Sequence, residues 1–441
     1  MQRSTMNTKQ SENIVIVGGG AGGLELACKL GRKLGRERVK LVDHAFYHIW
    51  KPSLHEVAAG TMDLHKEGLP YTMLAHQNDF TFVYGSFAGL DAARNEITVA
   101  AVQEDSGDVI IPQRQLRYSR LCIAVGSISH YFNTPGAAEH TISLNGPGDA
   151  ERFRLDMLKQ MTWAESRKEQ DPDAGVDVII IGGGATGVEL AAELRESSNK
   201  YIDYGFRKLD AAKDIRITLL EGAARILPPL PDRVAATATT LLEERHVRVV
   251  AGCRVAEILP GEVKDNAGHS FPFQICVWAA GIKAPAFLSR LGLPVNGAGQ
   301  LEVTPYLNVK GASNIHAFGD CAACTMDDGS RVPPRAQAAH QQADYLYRAF
   351  MRALRGGEPT PKPYVYRDYG SLVSVGSHTS VGTLMGSLKG RSWFVRGGLA
   401  RLMYVSLHLL HHRAVLGWAR TCGLALARAL IRRNTALVKL H

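Results

Sequence analysis

Two glycine-rich stretches hold the first recognisable chemistry. Gly18-Gly19-Gly20-Ala21-Gly22-Gly23 follows a short apolar run at 13–17 and opens into the helical pattern LELACKL. Gly182-Gly183-Gly184-Ala185-Thr186-Gly187 follows VDVIII at 176–181 and opens into VELAAEL. In such a turn the first glycine (Gly18, Gly182) permits the tight bend. The second (Gly20, Gly184) lets backbone approach a pyrophosphate, and the third (Gly23, Gly187) lets the helix lie close to its strand. The unpaired N–H groups at the helix start then face the phosphates. One such loop is a weak signal; two at domain-length separation point to two dinucleotide sites. A carboxylate ending the next strand accepts the ribose hydroxyls, and Asp43, twenty residues beyond Gly23, has the expected spacing. In the second copy the strand ends at Glu221, thirty-four residues beyond Gly187, so the surplus around 197–214 is expected to be a helical excursion.

Three more strand ends offer backbone or a carboxylate to a ligand. LCIAVG ends at Gly126, ICVWAAG ends at Gly281, and NIHAFGD ends at Gly319-Asp320. Cys321-Ala-Ala-Cys324 follows at once and reads as a tight turn, with a redox pair as the alternative; zinc has less support because no second cysteine pair exists. The seven cysteines are odd in number and scattered, which is no disulfide framework and fits reduced, packed thiols on a cytosol-facing protein.

The elements that must hold these groups are strand, turn and helix in repetition, an α/β class with two Rossmann-like domains. The length of 441 residues allows about three domain-sized units. The composition, 45% hydrophobic and 21% charged, excludes a largely disordered chain. Residues 1–12 are polar, without the apolar core of a signal peptide. No run of 18 uncharged apolar residues exists, so a spanning helix is not expected.

The net charge of +9 is local. The last acidic residue is Asp368, and ten cations follow it, so the remaining 41 cations meet all 42 acids upstream. A basic tail on a near-neutral body argues against a general nucleic-acid surface. Beyond Gly397 the chain reads as two apolar, acid-free helices. On the second, Val415, Leu416, Trp418, Cys422, Leu426 and Leu430 are expected on one side, with Arg413, Arg420, Arg428 and Arg432 on the other. Leu424, Ile431 and Arg433 break that pattern. This predicts an interfacial helix binding anionic lipid through 397–433; a dimerisation arm or a helix docked on the protein's own body is the alternative. The sequence predicts such a foot to be separable from the catalytic body. His408 and His412 lie one turn apart with no third metal ligand in sight, so no metal site is assigned.

With these motifs in place the chain resembles the two-dinucleotide-fold flavoproteins of the pyridine-nucleotide disulfide reductase type. It lacks their paired cysteines: the first glycine-rich helix holds Cys28 alone, and 123–252 contains none. Over most of its length it is similar to the type II NADH:quinone oxidoreductases, through VKLVDHAFYHIWKPSLHEVAAG (39–60), LLEGAARILP (219–228), VWAAGIKAP (277–285), PPRAQAAHQQADYL (333–346) and YRDYGSLVSVG (366–376). The resemblance implies an FAD domain at 1–148 and 300–372, an NADH domain at 149–299 and a membrane-associating region at 373–441. Gly18, Gly20, Gly23, Asp43 and Asp320 would bind FAD; Gly182, Gly184, Gly187 and Glu221 would bind NADH; Gly126, Gly281 and Gly319 are further cofactor positions. Gln337, His340 and Gln341 would meet a membrane quinone, and Glu189 would stand between the nicotinamide and quinone regions, although a first-turn Glu is also an ordinary partner of the helix dipole. The implied activity is NADH oxidation by membrane quinone without proton pumping, on the cytoplasmic face of a bacterial inner membrane. A homodimer is left open. A sulfide:quinone oxidoreductase or an NADH-responsive membrane sensor are the alternatives.

Overall fold

The computed structural model describes residues 12–357, 362–376, 379–385, 392–431 and 438–439. Arg432 and Arg433 of the expected tail pattern lie outside them, and Arg428, Leu430 and Ile431 are described in backbone only. The chain opens with β1 (Ile14–Val17), α1 (Ala21–Leu34), β2 (Val39–Asp43), β3 (Thr81–Tyr84) and β4 (Arg120–Ile123). It continues through β5 (Ile142–Ser143), α2 (Pro147–Arg167), β6 (Val176–Ile181), α3 (Ala185–Tyr204), β7 (Ile215–Glu221), α4 (Asp232–Glu243), β8 (Val247–Ala251) and β9 (Ile275–Trp278). β10 (Ile315–Ala317) then returns to the first sheet.

The two parallel sheets have orders β10-β4-β1-β2-β3 and β5-β9-β6-β7-β8. β1 and β6 are central, buried along nearly their whole length, and read as continuous apolar runs because both sheet faces are covered. Each delivers its glycine loop to the carboxyl end of the strand, beside the crevice where an open α/β sheet accepts ligands. The surplus before β7 is only partly helical: α3 runs to Tyr204, and the chain then turns, with Asp214 bonding the Asp210 amide.

α5 (Ala336–Leu354) lies along α1. An antiparallel sheet of β11 (Gly370–Ser374), β12 (Ser380–Met385) and β13 (Ser392–Gly397) leads into α6 (Gly398–Leu416) and α7 (Trp418–Ile431). The continuous amphipathic helix expected across 413–432 is broken at Gly417, whose φ of +80° ends α6. The break resets the helical phase, and Arg413, expected on the side opposite Trp418, lies 4.6 Å from the centroid of its ring. Val415 is fully buried in the core of the first sheet, whereas Trp418 and Leu426 are exposed. α6 rests on α1 and on the antiparallel sheet, and Val438 enters the core of the second sheet. The basic region therefore contributes to both cores, which the charge arithmetic does not reveal. Among the described residues no helix is long and apolar enough to cross a membrane.

Candidate functional site

The two loops are built alike. Gly18 has φ +99°, and a Cβ there would meet the Ala124 carbonyl oxygen at 2.4 Å; Gly182 has φ +112°, with Ala280 N at 2.7 Å. A Cβ at Gly23 or Gly187 would stand 1.9 Å from the carbonyl oxygen of Gly18 or Gly182, so neither position admits a side chain. At Gly20 and Gly184 a Cβ would meet nothing within 4 Å, leaving room for a ligand against the backbone. The carboxylates repeat the same construction. Asp43 accepts from Gly19 N at 2.6 Å and Ala45 N at 2.8 Å; Glu221 accepts from Gly183 N at 2.6 Å and Ala223 N at 2.7 Å. Carboxylate oxygens so engaged keep lone pairs for ribose hydroxyls. Arg225, the nearest cation to Glu221 in sequence, donates to the carbonyls of Leu227, Pro228 and Leu230 and pairs with Asp232. It is committed to its own loop.

Asp320 stands in a small polar cluster that the sequence does not announce. Ser127 Oγ donates to Asp320 Oδ2 at 2.8 Å, and Lys51 Nζ donates to the Ser127 carbonyl at 2.7 Å. Burial lowers the Lys51 pKa, opposed by Asp320 and Asp149. The Gly319 amide donates to Gln342 Oε1 at 2.8 Å, and Gln342 is buried. Gln342 was legible in principle, since Ala338, Gln342, Tyr345 and Leu346 form a buried stripe at helical spacing. Lys51 and Ser127 carry no local signal; they meet across 76 residues. Gly126 and Gly281 both take left-handed φ, +70° and +66°, with the Phe132 ring against Gly281.

The three α5 residues are brought to one side of the helix but are held by protein partners. Gln337 donates weakly to Asp368 Oδ1 and to the Gly370 carbonyl at 3.3 and 3.2 Å. Gln341 makes a closed pair with Arg367, donating to its carbonyl at 2.8 Å and accepting its amide at 3.0 Å. His340 Nδ1 lies 2.6 Å from Glu25 Oε2, and the buried Glu25 raises the imidazole pKa. Lys29 bridges Glu25 to Asp344, so these four groups form one ionic cluster between α1 and α5. Its Glu25, His340 and Asp344 also stand close enough together to hold a metal ion, but Lys29 already bonds both carboxylates.

Glu189, the fifth residue of α3 and so just beyond its first turn, is buried and accepts from Ser374 N at 3.1 Å. His55 Nδ1 is 3.7 Å from its Oε2, yet burial dominates and pushes the carboxyl up to about 7. One turn on, Glu193 accepts from Thr61 Oγ1 at 2.6 Å. A second contact missed by sequence joins α6 to the first glycine loop. His48 lies between His411 Nε2 at 2.8 Å and the Gly19 carbonyl at 3.0 Å, which also accepts from Tyr71 OH at 2.7 Å. Cys321 and Cys324 are buried free thiols, pushed by burial up to about 12 and about 11. Such thiols are unreactive, as a packed turn requires.

The chain from 12 to 343 matches the pyridine nucleotide-disulphide oxidoreductases. It is 36% identical to the type II NADH:quinone oxidoreductase of Haemophilus influenzae, the alignment spanning 98% of this chain and all of that one. The Mycobacterium tuberculosis type II NADH:quinone oxidoreductase Ndh is 28% identical, over 93% of this chain and 86% of its own. In fold, the chain is similar to NDH2 from Plasmodium falciparum, solved in complex with NADH: the TM-score is 0.81 at 18% identity, covering 98% of this chain and 100% of that one. The chain thus belongs to the pyridine nucleotide-disulphide oxidoreductases and, within them, to the type II NADH:quinone oxidoreductases. FAD is the cofactor of this family and NADH its reductant.

Proposed function

We propose that this protein oxidises NADH and reduces a membrane quinone, with FAD held by the first sheet and NADH by the second. The observation that carries this reading is the duplicated site: two open glycine loops, each with a carboxylate fixed to a loop amide, Asp43 to Gly19 and Glu221 to Gly183. Bound FAD supplies hydride acceptance and electron transfer; the protein supplies position and charge. Gly18, Gly20, Gly23 and Asp43 take the adenosine half of FAD, and Asp320, with Gly126 and Gly319, the remainder of its chain. Gly182, Gly184, Gly187, Glu221 and Gly281 take NADH. The corresponding FAD unit is 1–148 with 300–372, the NADH unit 149–299 and the membrane-associating region 373–441. Lys51 and Gln342 position the Asp320 strand end, by holding Ser127 and the Gly319 amide.

Gln337 and His340 are the quinone contacts this geometry favours, since Gln337 is held only by long hydrogen bonds and His340 keeps its Nε2 3.9 Å from Asp344. Gln341 would first have to release Arg367. Glu189, poised near neutrality, can hold or release a proton at its carboxyl during turnover. The exposed Leu402, Leu407, Leu410, Trp418 and Leu426 with the basic tail suit a peripheral seat on an anionic membrane, on the cytoplasmic face, and leave homodimerisation as a second use of the same face. Sulfide chemistry has less support, because residues 123–252 hold no cysteine to carry sulfur. The test is flavin bleaching under anaerobic NADH, NADPH and sulfide in turn. NADH alone should bleach it rapidly; rapid bleaching by sulfide would replace this reading.

A further inference from the structure

A groove of about 660 Å³ runs beside α5, from His340 and Gln341 toward the helix C-terminus. Arg348, Arg352, Lys362 and Arg367 line it, and among the described residues none of the four side chains forms an ion pair. The one carboxylate among its described lining residues, Asp344, is already bonded by Lys29. Four cations around one space repel each other, and an anion within it removes that penalty. Three of them are arginines, whose planar forks suit the oxygens of a phosphate.

We propose that this groove binds the phosphate of an anionic phospholipid. Phosphate is the shared chemistry; the rim chooses its source. Val365 and Tyr369, 62% and 59% exposed, stand in the same groove, and a freely soluble anion needs no apolar rim whereas an amphiphile does. Tyr369 immediately precedes β11, against which α6 with its exposed leucines is packed. Lys362 is fixed from behind, its carbonyl accepting from Tyr345 OH at 3.0 Å. The inference rests on the reading of the chain as an enzyme that draws quinone from a bilayer. A headgroup clasped beside His340 would hold the quinone entrance against the lipid surface.

The test compares full-length protein with Arg348→Gln/Arg352→Gln and with the control Arg290→Gln, an exposed arginine elsewhere. Partition is measured on phosphatidylcholine vesicles with and without phosphatidylglycerol. Each cation removed from the groove should weaken the anionic preference about fivefold, so the double variant loses about twenty-five-fold. The control should lose no more than its single charge accounts for. Equal anionic preference in wild type and double variant overturns the proposal. A third arm adds glycerol 3-phosphate to the wild type. Phosphatidylglycerol retained through purification in the wild type and absent from the double variant supports the lipid source; full release from vesicles by glycerol 3-phosphate would make free phosphate the ligand and overturn it. Oxidation of NADH with a water-soluble quinone, followed in the same samples, reports separately on the enzymatic reading.

Discussion

On the proposed reading, Glu221 is the residue that discriminates between the two nicotinamide cofactors. Its carboxylate is fixed by two backbone amides at the end of β7, and the cation that could have welcomed a 2′-phosphate, Arg225, is spent on three carbonyls and Asp232. A carboxylate accepts from a ribose hydroxyl and repels a phosphate. Glu221→Gln should therefore narrow the preference for NADH over NADPH, by about tenfold if about 1.4 kcal/mol of discrimination is lost, read as the ratio of kcat/KM values. A wild-type ratio near one would remove Glu221 from this role. Glu189 makes a prediction in pH. Its carboxyl is raised from an ordinary 4.5 to about 7, so the folded state prefers the neutral acid. The stability this gives is fully present below pH 4.5 and is lost as pH rises through about 7. The loss is on the order of 3 kcal/mol. Glu189→Gln keeps the neutral shape and escapes the loss, so its Tm should exceed that of the wild type at pH 8 and approach it at pH 4. Parallel Tm profiles across that range would contradict the assignment.

At the scale of elements, legibility followed sequence distance. The glycine loops, Asp43 and Glu221 announce themselves because strand, turn and helix are contiguous, and the structure puts each on the predicted strand end. His48 and His411, 363 residues apart, carry no signal until α6 lies against α1. The same holds for Lys439, whose carbonyl accepts from the buried Arg154 at 3.1 Å and from Tyr201 OH at 3.3 Å, while its amide donates to the Gly60 carbonyl at 2.8 Å. Periodicity also failed across Gly417, because a left-handed glycine resets the phase that a helical wheel assumes constant. The packing of Val415 and Val438 and the bonds of Lys439 favour an integrated foot over a separable one. A chain ending after Ile431 should keep its FAD but lose about 1–3 kcal/mol, the penalty of depriving the buried Arg154 Nη1 of the Lys439 carbonyl, seen as a lower Tm. A chain ending before Gly397 should in addition retain less FAD, since His48 loses His411 behind the Gly19 carbonyl and the Val415 position in the first core is vacated. Full FAD content in the shorter chain would restore the separable foot.

For the whole molecule, the two parallel sheets set a glycine loop at the carboxyl end of each central strand, the places proposed for FAD and NADH, and the acid-free region beyond Asp368 contributes to both cores while presenting exposed leucines and cations. On the proposed reading the body performs the redox chemistry, and the exposed leucines and cations of the tail suit a seat on the lipid that carries the second substrate. The measurement that tests this most directly is a two-step anaerobic rapid-mixing experiment on the full chain. NADH is added first, and a water-soluble quinone is added to the reduced protein. The flavin absorbance should fall with NADH and return with quinone at a rate sufficient for turnover, with one quinol formed for each NADH consumed. A flavin that NADH reduces but quinone does not reoxidise would contradict this reading.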